Sequence, residues 1–170
     1  MPINGFINIG SSVQQTLATP ENNLGSMFAS VAGSYSFVNG TSAGQNDLVW
    51  SDRRTLGAGA TDTFDLNGGG LLDVFGLAVN FVEVTAIVIS NRETVGGARA
   101  LRFGPAAANP FLWLFVDATD QVVIKPGGAY CQWSNEAQTV TPGSADAIRV
   151  INTDGANSVS YDILIVGRSA

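Results

Sequence analysis

The sequence predicts an all-β protein, a sandwich of two packed sheets preceded by an extended amino-terminal arm. Three observations predict it. From about residue 46 onward, apolar and polar residues alternate with period two in short segments. Gly, Pro, Asn and Asp cluster between those segments. No long window combines helix-forming composition with a period of about 3.6, and the longest stretch free of Gly and Pro, Leu77 to Val95, is dominated by β-branched residues.

Residues 1–45 are rich in Asn, Ser, Gly and Ala, with apolar residues too widely spaced for a continuous strand or an amphipathic helix. This segment reads as a mostly irregular arm that orders by packing on something else. Within it, Glu21 to Ser30 predicts one short helical turn, weakened by Gly25 and by the nearby Gly33.

Residues 46–170 form the sandwich domain, with about nine strands. They are Leu48 to Arg54, Thr61 to Leu66, Val82 to Ile89, Arg99 to Phe103, Phe111 to Val116, Val122 to Lys125, Ala129 to Ser134, Ala147 to Asn152 and Val159 to Val166. Two of them argue for two sheets. In Val82 to Ile89, one face carries Val82, Val84, Ala86 and Val88, while the other changes from Glu83 and Thr85 to Ile87 and Ile89. In Val159 to Val166, Ser160 and Asp162 give way to Leu164 and Val166. Each such strand starts at an exposed rim and runs into a place buried on both sides, as strands of packed sheets do.

Asn67 to Gly70, Gly96-Gly97, Asp117 to Asp120, Pro126 to Gly128, Pro142-Gly143 and Asp154-Gly155 all fall between the strands and supply the turns. Leu71 to Phe75 reads as one helical turn plugging an end of the sandwich. Lys125-Pro-Gly-Gly-Ala129 and Thr141-Pro-Gly-Ser-Ala145 are alike because both are Pro-Gly turns of a meander, not because the chain repeats.

A chain of 170 residues is one domain, or one domain plus an arm, and buries roughly 70% of its unfolded surface without needing disulfides. Only 13% of residues are charged, against about 25% in ordinary domains, and mean hydropathy is +0.20. A lone monomer relies on charge for solubility, so this composition predicts a surface covered by other subunits.

The same composition excludes several chemistries. With one Lys and seven scattered Arg, of which Arg53 and Arg54 point to opposite faces of a strand, nucleic acid is no partner. The longest apolar run is Phe111 to Val116, far short of a membrane span. Met1 to Ile9 lacks the basic start and apolar run of an export signal, so use without export is expected. There is no His, so the commonest general base and zinc ligand are missing.

Asp62 and Asp65, three apart on a strand, lie on opposite faces and share no site. Asp117 and Asp120 read as turn residues capping their own backbone rather than as Ca²⁺ ligands. The single Cys131 reads as a small buried apolar strand residue rather than a nucleophile. The runs Asn67 to Gly70 and Gly96-Gly97 lack the Lys-Ser/Thr of a phosphate loop, and Asn39-Gly-Thr41 is a favourable turn rather than a glycosylated sequon. Trp50, Trp113, Trp133 and Tyr130 read as core or interface aromatics, with Tyr130 and Trp133 on opposite faces. No catalytic, cofactor-binding or metal residue is assigned, and no cofactor is expected.

Three phrases carry a resemblance: Val123-Ile-Lys-Pro-Gly-Gly128, Thr141-Pro-Gly-Ser-Ala-Asp-Ala-Ile148, and the terminal Tyr161-Asp-Ile-Leu-Ile-Val-Gly167. In these the second half of the chain resembles small virion proteins of tailed bacteriophages, of the head decoration or cement type. The resemblance implies a β-sandwich or jelly-roll-like subunit, commonly a homotrimer, on the outside of a capsid, where it clamps neighbouring copies of the major capsid protein. It brings no enzymatic residues. A tail, neck or fibre component shares every compositional feature, and a carbohydrate-binding β-sandwich is the rival from another class. An enzyme would need a carboxylate pair drawn from different strands.

Overall fold

Eight of the nine expected strand segments form where the period-two pattern places them, and two further strands come from the arm. The computed structural model describes residues 3–18, 24–94, 99–113 and 115–170, with the backbone alone for 11–18 and 24–31. Its strands are β1 (Gly5–Ala18), β2 (Leu24–Phe37), β3 (Leu48–Leu56), β4 (Thr61–Asp65), β5 (Glu83–Asn91), β6 (Leu101–Pro105), β7 (Val122–Ile124), β8 (Ala129–Thr139), β9 (Ala147–Asn152) and β10 (Val159–Arg168). No helix occurs among the described residues.

β3 to β10 divide into two four-stranded antiparallel sheets, ordered β3-β10-β5-β8 and β4-β9-β6-β7. The first of these strands pairs with the last, β4 with β9, β5 with β8 and β6 with β7. That nesting is one long antiparallel ribbon folded over on itself, the winding of an eight-stranded jelly roll. Its core lies between the sheets, where Phe64, Phe81, Phe103, Ile87, Ile89, Ile148, Ile163 and Ile165 are almost wholly buried. Aromatic rings interlock there, with Trp50 on Phe64 at 5.5 Å and Phe103 on Tyr130 at 5.2 Å between centroids.

The Pro-Gly turns follow the expected chemistry. In both, Pro occupies the second position and a Gly with φ of +72°, Gly127 or Gly143, the third. The fourth residue donates its N–H to the first carbonyl, Gly128 to Lys125 at 2.9 Å and Ser144 to Thr141 at 3.1 Å.

Five expectations are corrected. The arm is not irregular: β1 and β2 form a continuous two-stranded antiparallel ladder from Gly5↔Phe37 to Ala18↔Leu24. Leu24 to Ser30 is therefore strand, not helical turn, while residues 19–23 lie outside the described part. Among the described residues of Phe111 to Val116, which exclude Leu114, no strand forms and the chain is a closing loop. Phe111 is held by its N–H to the Ala147 carbonyl, Asn109 and Trp113 turn the chain with positive φ, and Pro110 brings no N–H to a ladder.

Residues 71–78 form no helical turn. Leu71 and Val79 are buried, and the chain between them turns outward, closed by an isolated Leu72↔Ala78 bridge. In β5 the simple alternation breaks, because a register shift between Val84 and Ala86 turns Val84 to the core with Ile87 and Ile89, and Ala86 to the opposite face.

Candidate assembly surface

The arm is the part of the chain whose surroundings are incomplete. Glu21 is the sole charged side chain in the first 46 residues. Among the described residues the hairpin pairs only with itself, so both strands carry an open edge without the Lys or Pro that blunts exposed edges. A lone two-stranded ribbon is marginal in water, so something must cover it.

At its base the sandwich does so. Tyr35 and Phe37 of β2 pack with Ala86 and Val166, and Ile3, Ile7, Val49, Trp133 and Leu164 close around them. Gly33 lies against the Trp133 indole, where even a Cβ would stand 3.1 Å from the ring. The ladder registers show what this seat is. Val49, Val166, Ala86 and Trp133 are successive partners across β3, β10, β5 and β8, one row running across the outer face of the sheet.

A buried polar latch fixes the hinge. Asn46, fully buried, donates from Nδ2 to the Tyr35 hydroxyl at 2.9 Å and accepts from the Thr85 hydroxyl at 2.7 Å. All three groups are thereby satisfied out of water. Just beyond, Asp47 accepts from the Ser169 N–H and hydroxyl, tying the end of the chain to the start of the sandwich.

Past the seat the ladder register sorts the arm by face. The positions of Ile7, Ile9, Val13 and Leu17 on β1 share one face with those of Met27, Val31, Tyr35 and Phe37 on β2. The other face is mainly Asn, Ser, Gln and Thr, with Phe6, Leu24 and Phe28 as the large apolar exceptions. The apolar face is thus the one that sits on the sandwich at the base, and Ile9 is already 42% exposed where the ribbon leaves its seat.

A second apolar projection comes from residues 71–78. Val74 is 90% exposed and Phe75 68%, with Leu72 and Leu77 also open. The loop is rigidly built: Asp73 Oδ1 accepts the N–H groups of Phe75 and Leu77, and Trp50 Nε1 donates to the Leu72 carbonyl at 3.0 Å. As the plug that the sequence predicts at Leu71 to Phe75, Leu72, Val74 and Phe75 would turn inward; they are exposed instead. The apolar spacing that suggested burial is the same spacing that an interface uses, and sequence offers no sign to separate them.

The residues weighed for chemistry are placed as follows. Asp62 accepts from the Tyr161 hydroxyl at 2.6 Å beside Arg54, while Asp65, on the opposite face, accepts from the Asn67 N–H. Burial, then the Asp62 carboxylate, pushes the Tyr161 hydroxyl well above its ordinary value. Asp117 accepts from the Thr119 N–H and hydroxyl, and Asp120 from the N–H groups of Val116 and Asp117. Those bonds, the Thr119 N–H first, hold Asp117 below the usual carboxylate range. Among the described residues no three Cys, Asp or Glu side chains gather as a metal centre would need.

Arg53 and Arg54 do point apart, Arg53 onto Asp162 on the outer face and Arg54 over the Phe64 ring at 5.1 Å. Cys131 is half-buried, and burial raises its thiol above the ordinary value. Trp50 is in the core, Trp133 under the arm and Trp113 in the closing loop, so they share no exposed platform. Asn39 sits at the hairpin base, where its side chain accepts from the Ile3 N–H. Gly96-Gly97 lies outside the described residues. Among the described residues no helix is long and apolar enough to cross a membrane.

No protein-family model matches the chain, and no curated protein does. Among solved structures, one described as the crystal structure of PirA is similar with a TM-score of 0.36 and 13% identity, over 69% of this chain and 93% of that one. A likeness that loose carries no functional argument.

Proposed function

We propose that this chain is a non-enzymatic structural subunit of a virion, of the head decoration type, which sits on the capsid surface and stabilises it by clamping neighbouring capsid subunits. The observation that carries the reading is the arm: an uncharged ribbon, anchored at its base by a buried latch, that holds an apolar face beyond the domain. Contact between surfaces does the work, at roughly 25 cal/mol per Å² of apolar area buried before association costs are subtracted. The rigid apolar loop at Val74 and Phe75 adds a second contact point for the same purpose. A jelly roll hosts many functions, so the reading rests on these surfaces and not on the fold.

Its partners on this reading are the major capsid protein and copies of itself, with no nucleic acid, membrane or cofactor. The test is co-sedimentation of the purified full chain with phage heads that lack it. Sedimentation with the heads, and a raised temperature of genome release, are expected. A chain that stays in the supernatant at every concentration overturns the proposal.

A further inference from the structure

We infer that the outer part of the arm docks on the outer sheet of a second copy of this chain, over the row of residues next to that copy's own arm seat. The inference deepens the assembly reading and rests on it.

The row follows from the ladders. Two residues along from the seat, Ser51, Leu164, Val88 and Cys131 are successive partners across β3, β10, β5 and β8. All but the exposed Ser51 are half-buried; Leu164 borders the chain's own arm seat, while Val88 and Cys131 lie outside it. Beyond this row comes a polar one, where Arg53 pairs with Asp162 at 2.6 Å and Arg92 approaches the same carboxylate at 3.5 Å. Together they form an open groove with an apolar floor of Val88 and Leu164 and a charged wall.

Three observations choose a second copy as occupant. The arm's apolar face already fits this sheet, since the seat is the neighbouring row of the same surface. Copies carry a net charge of −6 and repel one another, and an uncharged ribbon meeting a wall whose charges are already paired is the approach that avoids this cost. The area also suffices. Ten residues on each strand give a face about 33 Å by 10 Å, or roughly 330 Å²; a copy that gives one arm and receives another buries about 660 Å², near the ~800 Å² per partner of a stable interface. Exchange of this kind closes into a symmetric oligomer when the rotation between copies allows it.

The test uses the full chain and two variants placed outside both the core and the seat. Ile9→Asp puts a charge on the arm face, and Val88→Glu puts one on the receiving row. Light scattering after size exclusion is expected to give a multiple of 17.6 kDa for the wild type and the single-chain mass for each variant. Mixed one to one, the variants are expected to pair through the one remaining contact, the intact arm of Val88→Glu on the intact row of Ile9→Asp, and with half the buried area to recover mass only at high protein concentration. Maleimide labelling of Cys131 is expected to slow at least tenfold in the oligomer relative to either variant.

A monomeric wild type overturns the proposal, as do variants that keep the wild-type mass or a mixture in which raising the protein concentration yields no pairing beyond that of either variant alone. The head co-sedimentation is read separately. A monomer that still decorates heads sinks the exchange and leaves the structural-subunit reading standing, whereas an oligomer that ignores heads does the reverse.

Discussion

The sandwich and the arm are both antiparallel β-structure, yet they are ordered by different means. Every strand of the sandwich lays one face on a core supplied by its own chain, and its surface carries all the charge of the protein except Glu21. The arm has long strands, no core of its own and no charge on either strand. Burial within the chain holds the first, while on the proposed reading the second relies on burial between chains. The seat and the Asn46 latch mark the boundary between the two regimes.

The comparison is broken most severely by a core substitution. Phe103→Ala removes a ring buried between the sheets and is expected to cost about 3–5 kcal/mol, read as a lower denaturant midpoint. Ile9→Asp should shift that same midpoint by less than about 0.5 kcal/mol, although it changes the mass of the oligomer. Equal effects would erase the distinction.

Next comes Glu83→Ala. It leaves the Arg168 guanidinium, whose side chain is 7% exposed, without its carboxylate at 2.7 Å, and a loss of about 2–3 kcal/mol is expected. Asn46→Ala takes the buried Tyr35 hydroxyl's partner away and leaves the Thr85 hydroxyl only the Val166 carbonyl at 3.2 Å, and is expected to cost about 1–3 kcal/mol. Unlike the other two, it should also speed protease cleavage within the arm, because it loosens the base while leaving the sheets paired. Cleavage confined to sandwich loops would contradict the assignment of that latch.

The smallest effects are those of pH. Asp162 is held low by its bond to Arg53, Asp154 by the Ala156 N–H, and Glu93 by the Ser160 N–H. Depressed carboxylates stabilise the fold above their ordinary range and lose that contribution only as pH falls through their lowered values. With no His to titrate, the midpoint should stay flat from about pH 5 to 8 and fall below about 4. Tyr130, pushed up to about 12 by burial, contributes stability that is complete below about 10 and lost as pH rises past that, toward its folded value. A midpoint that changes across neutrality would contradict this account.

Much of the sandwich is legible in the sequence because its strands obey one rule, alternation against a core. The change along β10 from Ser160 and Asp162 to Leu164 and Val166 is the outer face passing from open sheet to the arm's seat. What escapes is where the rule is interrupted. The bulge in β5 swaps the faces of Val84 and Ala86 without any Gly or Pro to announce it. Phe111 to Val116 looks like a strand by composition, although Phe111, Trp113 and Phe115 turn to the core with no ladder partner.

The arm escapes for a related reason. Its face alternates correctly, but Gly10, Ser11 and Gly33 dilute the pattern, and the partner that would give the apolar side its meaning is not encoded next to it. The candidate surface is therefore visible as composition, a stretch almost without charge, before it is visible as structure.

Hydrogen exchange of the full chain at high and low protein concentration tests the central claim most directly, since it reports arm and sandwich amides in one experiment. If neighbours order the arm, the β1 and β2 amides beyond the seat are protected at high concentration and exchange fast on dilution, while β5 and β10 stay protected at both. Arm protection that survives dilution unchanged would show that the chain orders its arm alone, and would contradict the account.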